Sequence, residues 1–315
     1  MNATPVISGE YTHIYIPDPD VFPGPDSICF KAGNKYSDWI PNDHTILKGP
    51  DNRWHAFGIT HPAPPGEYNP QTIHDGEWLL FHSVTDACTF KQSLKQGAWK
   101  DEPKVLFPSQ RPGETNAIHA PHILQKDGRY YMVYGPRPMR LAISADLYAW
   151  EPKGMLFQGP PSSRDPNLLM YNGNFIMTYT VENYLLQRTS QDLVHWSNPT
   201  EIFHMNKKGA PESPFMVFYE NKFYLFWCIW DDSNGAYDNR TFVYRSDDVF
   251  NFNGAPLVAE LKAHAPEIIR DEDGDWFISS AEWPYKGVSI APLKWDGVFR
   301  LAEEAHRIET LSTHH

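Results

Sequence analysis

Five segments of the chain repeat one phrase, and that repeat constrains the fold more than any other feature. They are "NDHTILKGPDNRWHAFGI" from Asn42, "HAPHILQKDGRYYMVYG" from His119, "RDPNLLMYNGNFIMTYT" from Arg164, "ESPFMVFYENKFYLFWC" from Glu212 and "HAPEIIRDEDGDWFISS" from His264. Each has a polar start, usually a Pro, an apolar pair, a short turn of Asp, Asn or Gly, and an alternating aromatic strand. That order is the signature of a β-hairpin. The Pro positions align as His44, Pro121, Pro166, Pro214 and Pro266, mostly about 50 residues apart. A second phrase follows the hairpins: "SADLYAW" from Ser144, "SQDLVHW" from Ser190, "SDDVFNF" from Ser246 and, more loosely, "SVTDACTF" from Ser83. In it a strand ends on Ser, Asp turns the chain and an aromatic packs back.

Repeats of this length, with about four strands each, mark propeller blades. The expected fold is all-β: a single five-bladed β-propeller over residues 1–315, in which the segment before Trp39 supplies a strand that closes the ring with the last blade. A two-sheet sandwich gives no reason for five like phrases. The 14% aromatic content favours strands, and 28 Pro and 20 Gly provide turns. A net charge of −12 without a basic cluster argues against a nucleic-acid partner. No run reaches the roughly 18 apolar residues of a membrane span, so no membrane partner is expected. Cys29, Cys88 and Cys228 are far apart and odd in number, and they read as buried thiols in a reducing compartment. The start of the chain has neither the basic stretch nor the apolar core of a secretion signal, so a cytoplasmic location is expected.

The innermost strands of a propeller line a central channel, so the polar starts of the blades converge at one end of it. The two residues before the Pro column are not fixed by packing. They read Asn42-Asp43, His119-Ala120, Arg164-Asp165, Glu212-Ser213 and His264-Ala265. An isolated Asp before Pro is usually a turn residue, and an isolated His a hydrogen-bonded packing residue. Three acids gathered at one concave spot are different, because like-charge repulsion makes folding alone a poor reason for them. Three convergent carboxylates suit glycosidic-bond hydrolysis. One acid with a raised pKa protonates the leaving oxygen, and a second, ionised, acts as base or nucleophile. A catalytic metal is disfavoured, because the acids and histidines lack clustered ligand spacing. "DEDGD" from Asp271 falls on a hairpin turn and lacks a full calcium loop, so it reads as a solvated turn.

The chain resembles the five-bladed propeller glycoside hydrolases, the superfamily of families 43, 32, 68 and 62, over roughly Trp39 to Trp295. "WIPNDHTILKGPDNRWHAFGI" is similar to the opening W-M-N-D-P-N-G of family 32. "RDPNLL" matches the R-D-P motif, and "ESPF" stands where these families place their acid. The resemblance implies Asp43 as base or nucleophile, Asp165 as stabiliser of the transition state and Glu212 as general acid. It implies sugar binding by Asn42, His119, Arg164 and His264, with Trp39, Trp230 and Trp283 as stacking aromatics. No cofactor is required. A structural channel cation such as calcium, with His264 as a candidate ligand, is the one metal the resemblance raises. His44 departs from the Pro expected after the first acid, Ser213 stands in place of the family 32 Cys, and no second β-sandwich follows. The expected function is removal of a terminal furanose-like sugar (arabinofuranose, fructofuranose or galactofuranose, with xylose open) from an oligosaccharide or glycoside. Transglycosylation at the same site and a non-catalytic carbohydrate-binding propeller are the alternatives. Family 32 retains configuration and family 43 inverts, and the sequence does not choose between them. Glu212 also sits one register earlier than Asp43 and Asp165, which in a regular strand turns a side chain to the other face.

Overall fold

A computed structural model describes residues 3–18, 20–24, 26, 31–36, 39–62, 77–231, 233 and 238–296. Cys29, the Pro-rich segment 63–76 and the C-terminal stretch from 297 lie outside the described residues.

The chain begins with β1 (Val6–Ile7), β2 (Thr12–Tyr15) and a small pair, β3 (Asp20–Val21) with β4 (Lys35–Tyr36). Blade I follows as β5 (Trp39–Lys48), β6 (Trp54–Pro62), β7 (Leu79–Thr85) and β8 (Trp99–Val105). Blade II is β9 (His119–Lys126), β10 (Arg129–Gly135), β11 (Met139–Ser144) and β12 (Glu151–Phe157). Blade III is β13 (Arg164–Tyr171), β14 (Asn174–Val181), β15 (Tyr184–Ser190) and β16 (Thr200–His204). Blade IV is β17 (Ala210–Tyr219), β18 (Lys222–Trp230), β19 (Arg240–Ser246) and β20 (Leu257–Lys262). Blade V has β21 (Ile268–Arg270), β22 (Trp276–Ala281) and β23 (Val288–Lys294), and β1 and β2 both pair antiparallel with β23. All five blades are antiparallel meanders, as the repeated hairpins predict. The architecture is a five-bladed β-propeller.

Alternation along the strands gives every blade two apolar faces, and five apolar clusters fill the seams between blades. Phe57 and Leu80 meet Tyr130 and Met132 between blades I and II. Val133 and Leu141 meet Leu168 and Met177 between II and III. Corresponding clusters join III to IV, IV to V and V to I. Burying side chains of this size contributes about 1.5–3 kcal/mol each. The Ser-x-Asp phrase builds a turn that plugs the seams of blades I–II, II–III and III–IV. Ser144 Oγ accepts from Leu147 N (2.8 Å), Asp146 Oδ1 accepts from Ala149 N (2.8 Å), and Leu147 is fully buried. Ser190, Asp192 and Leu193 repeat the arrangement in blade III.

One short helix, α1 (Phe90–Ser93), is capped by Thr89, whose hydroxyl accepts from Gln92 N (3.3 Å); the sequence reading contains no helix there. Beside it the "DEDGD" turn does more than sit in solvent. The Lys91 ammonium lies 2.8 Å from Asp273 and 2.6 Å from Asp275, where a bound cation would otherwise be sought. Glu272 Oε1 accepts from Phe90 N (2.9 Å). These contacts tie blade V to blade I. Cys228 is buried as expected, whereas Cys88 is exposed, because its turn lies at the blade edge.

Candidate active site

The repeated phrase is a β-bulge. In blades II, III and IV the pairs His119↔Gly135 and His122↔Val133, Arg164↔Thr180 and Asn167↔Thr178, and Glu212↔Cys228 and Phe215↔Phe226 leave one extra residue on the inner strand. The residue after the first of each pair is left-handed: Ala120 (φ 43°), Asp165 (φ 53°) and Ser213 (φ 49°). Ala265 in blade V shares this conformation (φ 44°). The following Pro has no N–H to offer the ladder, which suits it to a bulge.

Blade I corrects the sequence alignment. There Pro41 pairs with Thr60 and His44 with Gly58. Asp43, not His44, therefore holds the place of Pro121, Pro166 and Pro214, and His44 aligns with His122, Asn167 and Phe215. His44 is buried under the site. Its Nδ1 donates to Asn42 O (3.0 Å), which leaves Nε2 to accept from Ser279 Oγ (2.7 Å). Burial lowers its pKa to about 4. A Cβ on Gly58 would lie 2.7 Å from His44 Cβ, so glycine is required opposite the bulge.

The offset between Glu212, Asp165 and Asp43 now has a physical account. They occupy the first, second and third positions of their bulges, where the two-residue alternation of a strand is broken. All three reach one spot. Arg164 donates to Glu212 Oε1 through Nη2 (2.9 Å) and Nε (3.2 Å), and its Nε is 3.7 Å from Asp165 Oδ2. Ser213 N donates to Asp165 Oδ2 (3.2 Å), while the Ser213 hydroxyl donates to Asp43 Oδ1. Burial, then the charges of Asp165 and Glu212, hold the Asp43 carboxyl well above the usual carboxylate range. Burial opposes the Arg164 charge, but Asp165 and Glu212 outweigh it and keep the guanidinium protonated. Cys228 pairs with Glu212 across the ladder, and burial raises its thiol pKa, so it sits by the acids as a neutral group.

Other predicted residues fall into three sets. His264 and Asn42 meet at the seam of blades V and I, with His264 Nε2 2.9 Å from Asn42 Oδ1 and Nδ1 donating to Asp238 O (2.8 Å). His119 Nε2 lies 2.9 Å from Glu77 Oε2, a buried carboxylate that no sequence motif marks. Trp230, 41% exposed, and the partly exposed Trp283 stand at the ends of their blades that carry the acids. Trp39 does not join them. It is 1% exposed and packs with Phe22, Tyr36 and Leu79, so it is a core residue rather than a stacking platform.

Asp43, Asp165 and Ser213, with His44, His122 and Glu267, line a cavity of about 20 Å³ in the channel, room for about one water. His122 Nδ1 is 3.3 Å from Glu267 Oε1, and the Thr45 hydroxyl donates to Glu267 Oε2 (3.3 Å). Among the described residues no group of three or more His, Cys, Asp or Glu is placed to hold a metal. Both ring nitrogens of His264 face protein oxygens.

No family model and no curated protein sequence matches the chain. Solved structures do. An endo-arabinase from Bacteroides thetaiotaomicron superposes with a TM-score of 0.62 at 16% identity, covering 82% of this chain and 96% of that one. An exo-1,5-alpha-L-arabinanase from a bovine ruminal metagenomic library gives 0.58 at 19% identity, covering 80% and 91%. A Bombyx mori family 32 beta-fructofuranosidase gives 0.59 at 15% identity, covering 85% of this chain and 63% of that one. The fold is that of the five-bladed propeller glycoside hydrolases. At such identities the likeness speaks for the propeller fold, and what this member of the fold does rests on its own site.

Proposed function

We propose that this propeller is a glycoside hydrolase that removes a terminal furanose-like sugar from an oligosaccharide or glycoside. The observation that carries this reading is the convergence of Asp43, Asp165, Glu212 and Arg164, from three separate blades, at one channel mouth. The cavity of about 20 Å³ lined by Asp43 and Asp165 is too small for a sugar to pass along the channel, which supports action on a chain end. The arabinanase and fructofuranosidase neighbours support a furanose as substrate. No cofactor is assigned, and a channel cation remains outside the mechanism.

In this reading Asp43 is the base or nucleophile, Glu212 the general acid and Asp165 a binder of sugar hydroxyls. An acid must carry a proton, and Arg164 favours the ionised form of Glu212. Substrate binding therefore has to draw the guanidinium toward the sugar, where its planar fork suits a pair of hydroxyls. A second reading reverses the two roles. The Arg164–Glu212 pair and the raised pKa of Asp43 favour Asp43 as the group holding the proton.

A panel of α- and β-aryl furanosides and pyranosides, with matching natural glycosides, tests both. Glu212→Gln is expected to lose natural substrates while keeping part of its aryl-glycoside turnover, because a good leaving group needs no acid. Asp43→Asn is expected to be inactive on both. The opposite pattern establishes the reversed roles. Turnover of natural glycosides by Glu212→Gln at the wild-type rate would remove Glu212 from the mechanism. Sugar binding without turnover by the wild type would favour a binding propeller, and product longer than substrate a transglycosylase.

A further inference from the structure

The second bulge position is Ala in blades II and V, Asp in blade III and Ser in blade IV, all left-handed. Alanine satisfies that backbone twice in this chain, so the turn itself does not call for the Ser213 hydroxyl. The hydroxyl instead spans from blade IV to Asp43 in blade I, and the amide of the same residue spans to Asp165 in blade III. The groups facing Asp43 are Asp165 and Glu212, which favour its protonated form, and Cys228, a neutral thiol. Arg164 bonds Glu212 and its charge also attracts Asp43, while His44, the next residue, is neutral above about pH 4. The Ser213 hydroxyl and Asp43's own amide are the hydrogen-bond donors that favour a charge on Asp43.

We propose that Ser213 is a positioning residue whose hydroxyl orients the Asp43 carboxyl and favours its ionised form. The proposal rests on the glycosidase reading with Asp43 as base. Ser213→Ala deletes the hydroxyl and leaves the amide to Asp165 in place, and the bulge keeps the residue it already has at Ala120 and Ala265. The test is a ¹³C NMR titration of the aspartate carboxyls, with the Asp43 signal identified by its loss in Asp43→Asn. Ser213→Ala is expected to move the Asp43 midpoint up by about one to two pH units, the size of one hydrogen bond to a charged group. The acidic limb of kcat/KM moves by the same amount, with the alkaline plateau within several-fold of wild type. Ser213→Cys, a weaker donor, falls between. An unmoved Asp43 midpoint overturns the proposal, including the case in which kcat simply falls at every pH. The titration needs no substrate, so an inactive wild type with a shifted midpoint breaks the glycosidase reading and leaves the hydrogen bond standing.

Discussion

Blades II and V and blades III and IV use the same bulge with different residues. In II and V it presents His119-Ala120 and His264-Ala265, and each histidine is held by neighbouring protein groups, Glu77 for one and Asp238 and Asn42 for the other. In III and IV it presents Arg164-Asp165 and Glu212-Ser213, which bind one another across the seam. The backbone device is therefore architectural, and chemistry is placed on part of it. The contrast also shows that Ala is structurally sufficient, so the charged residues reflect what the mouth does rather than how the blade turns.

The largest effect is expected at Asp43, where activity and stability pull apart. Asp43→Asn should lower kcat by at least about 10³-fold, within the usual range for a general base. Its effect on stability has the opposite sign. A carboxyl whose folded pKa is raised stabilises the fold below the unfolded value and loses that contribution as pH rises through the folded value. Asp43→Asn should therefore have the higher Tm at pH 7, with the gap closing toward about pH 4, the ordinary carboxylate range. A variant less stable at pH 7 would contradict the crowding of acids described above.

Asp165→Ala converts the blade III bulge to the blade II form. It should lower kcat/KM by about 10²-fold or more, the scale of one lost charged contact in the transition state, while Tm stays within about 2 °C, because relief of the repulsion with Asp43 offsets the lost bond from Ser213 N. A large fall in Tm would mean that the bulge of blade III depends on its aspartate, unlike those of II and V.

The tryptophans sharpen the contrast between core and mouth. Trp39→Ala should cost about 3–5 kcal/mol in urea unfolding, the range for a buried large aromatic. Trp230→Ala should change stability by about 0.5 kcal/mol or less and raise KM several-fold. Equal stability losses would place Trp230 in the core.

The remaining effect is a pH dependence set below the mouth. Burial lowers the His44 pKa from 6.5 to about 4. Groups with lowered folded pKa values stabilise the fold above the unfolded value and lose that contribution as pH falls through the folded one. The urea midpoint should decline from about pH 6.5 toward pH 4, and His44→Gln should flatten part of the decline. An unchanged slope in that variant would show that His44 does not ionise on unfolding.

The repeat made the five blades legible, because period-two strands and Asp-Gly turns are local signals that each blade repeats. Asp165, Glu212 and Arg164 were legible for the same reason, as charges in a column that packing does not fix. The register of blade I was not, since a bulge can slide by one residue without changing the apolar pattern on either side. Trp39 was misplaced because an aromatic at a strand start looks alike whether it faces the mouth or the neighbouring β3–β4 pair. Glu77 carried no motif at all.

The five-fold architecture and the cast of charged residues are written in the sequence, because hairpin periodicity and turn chemistry act over a few residues. Which of those residues meet is set in the folded molecule. Arg164 finds Glu212, Ser213 joins Asp43 to Asp165, and His264 is spent on Asn42, all across distances in sequence of tens to hundreds of residues. The direction of a side chain leaving a bulge depends on φ and on the neighbouring blade, and neither is written in local residue order.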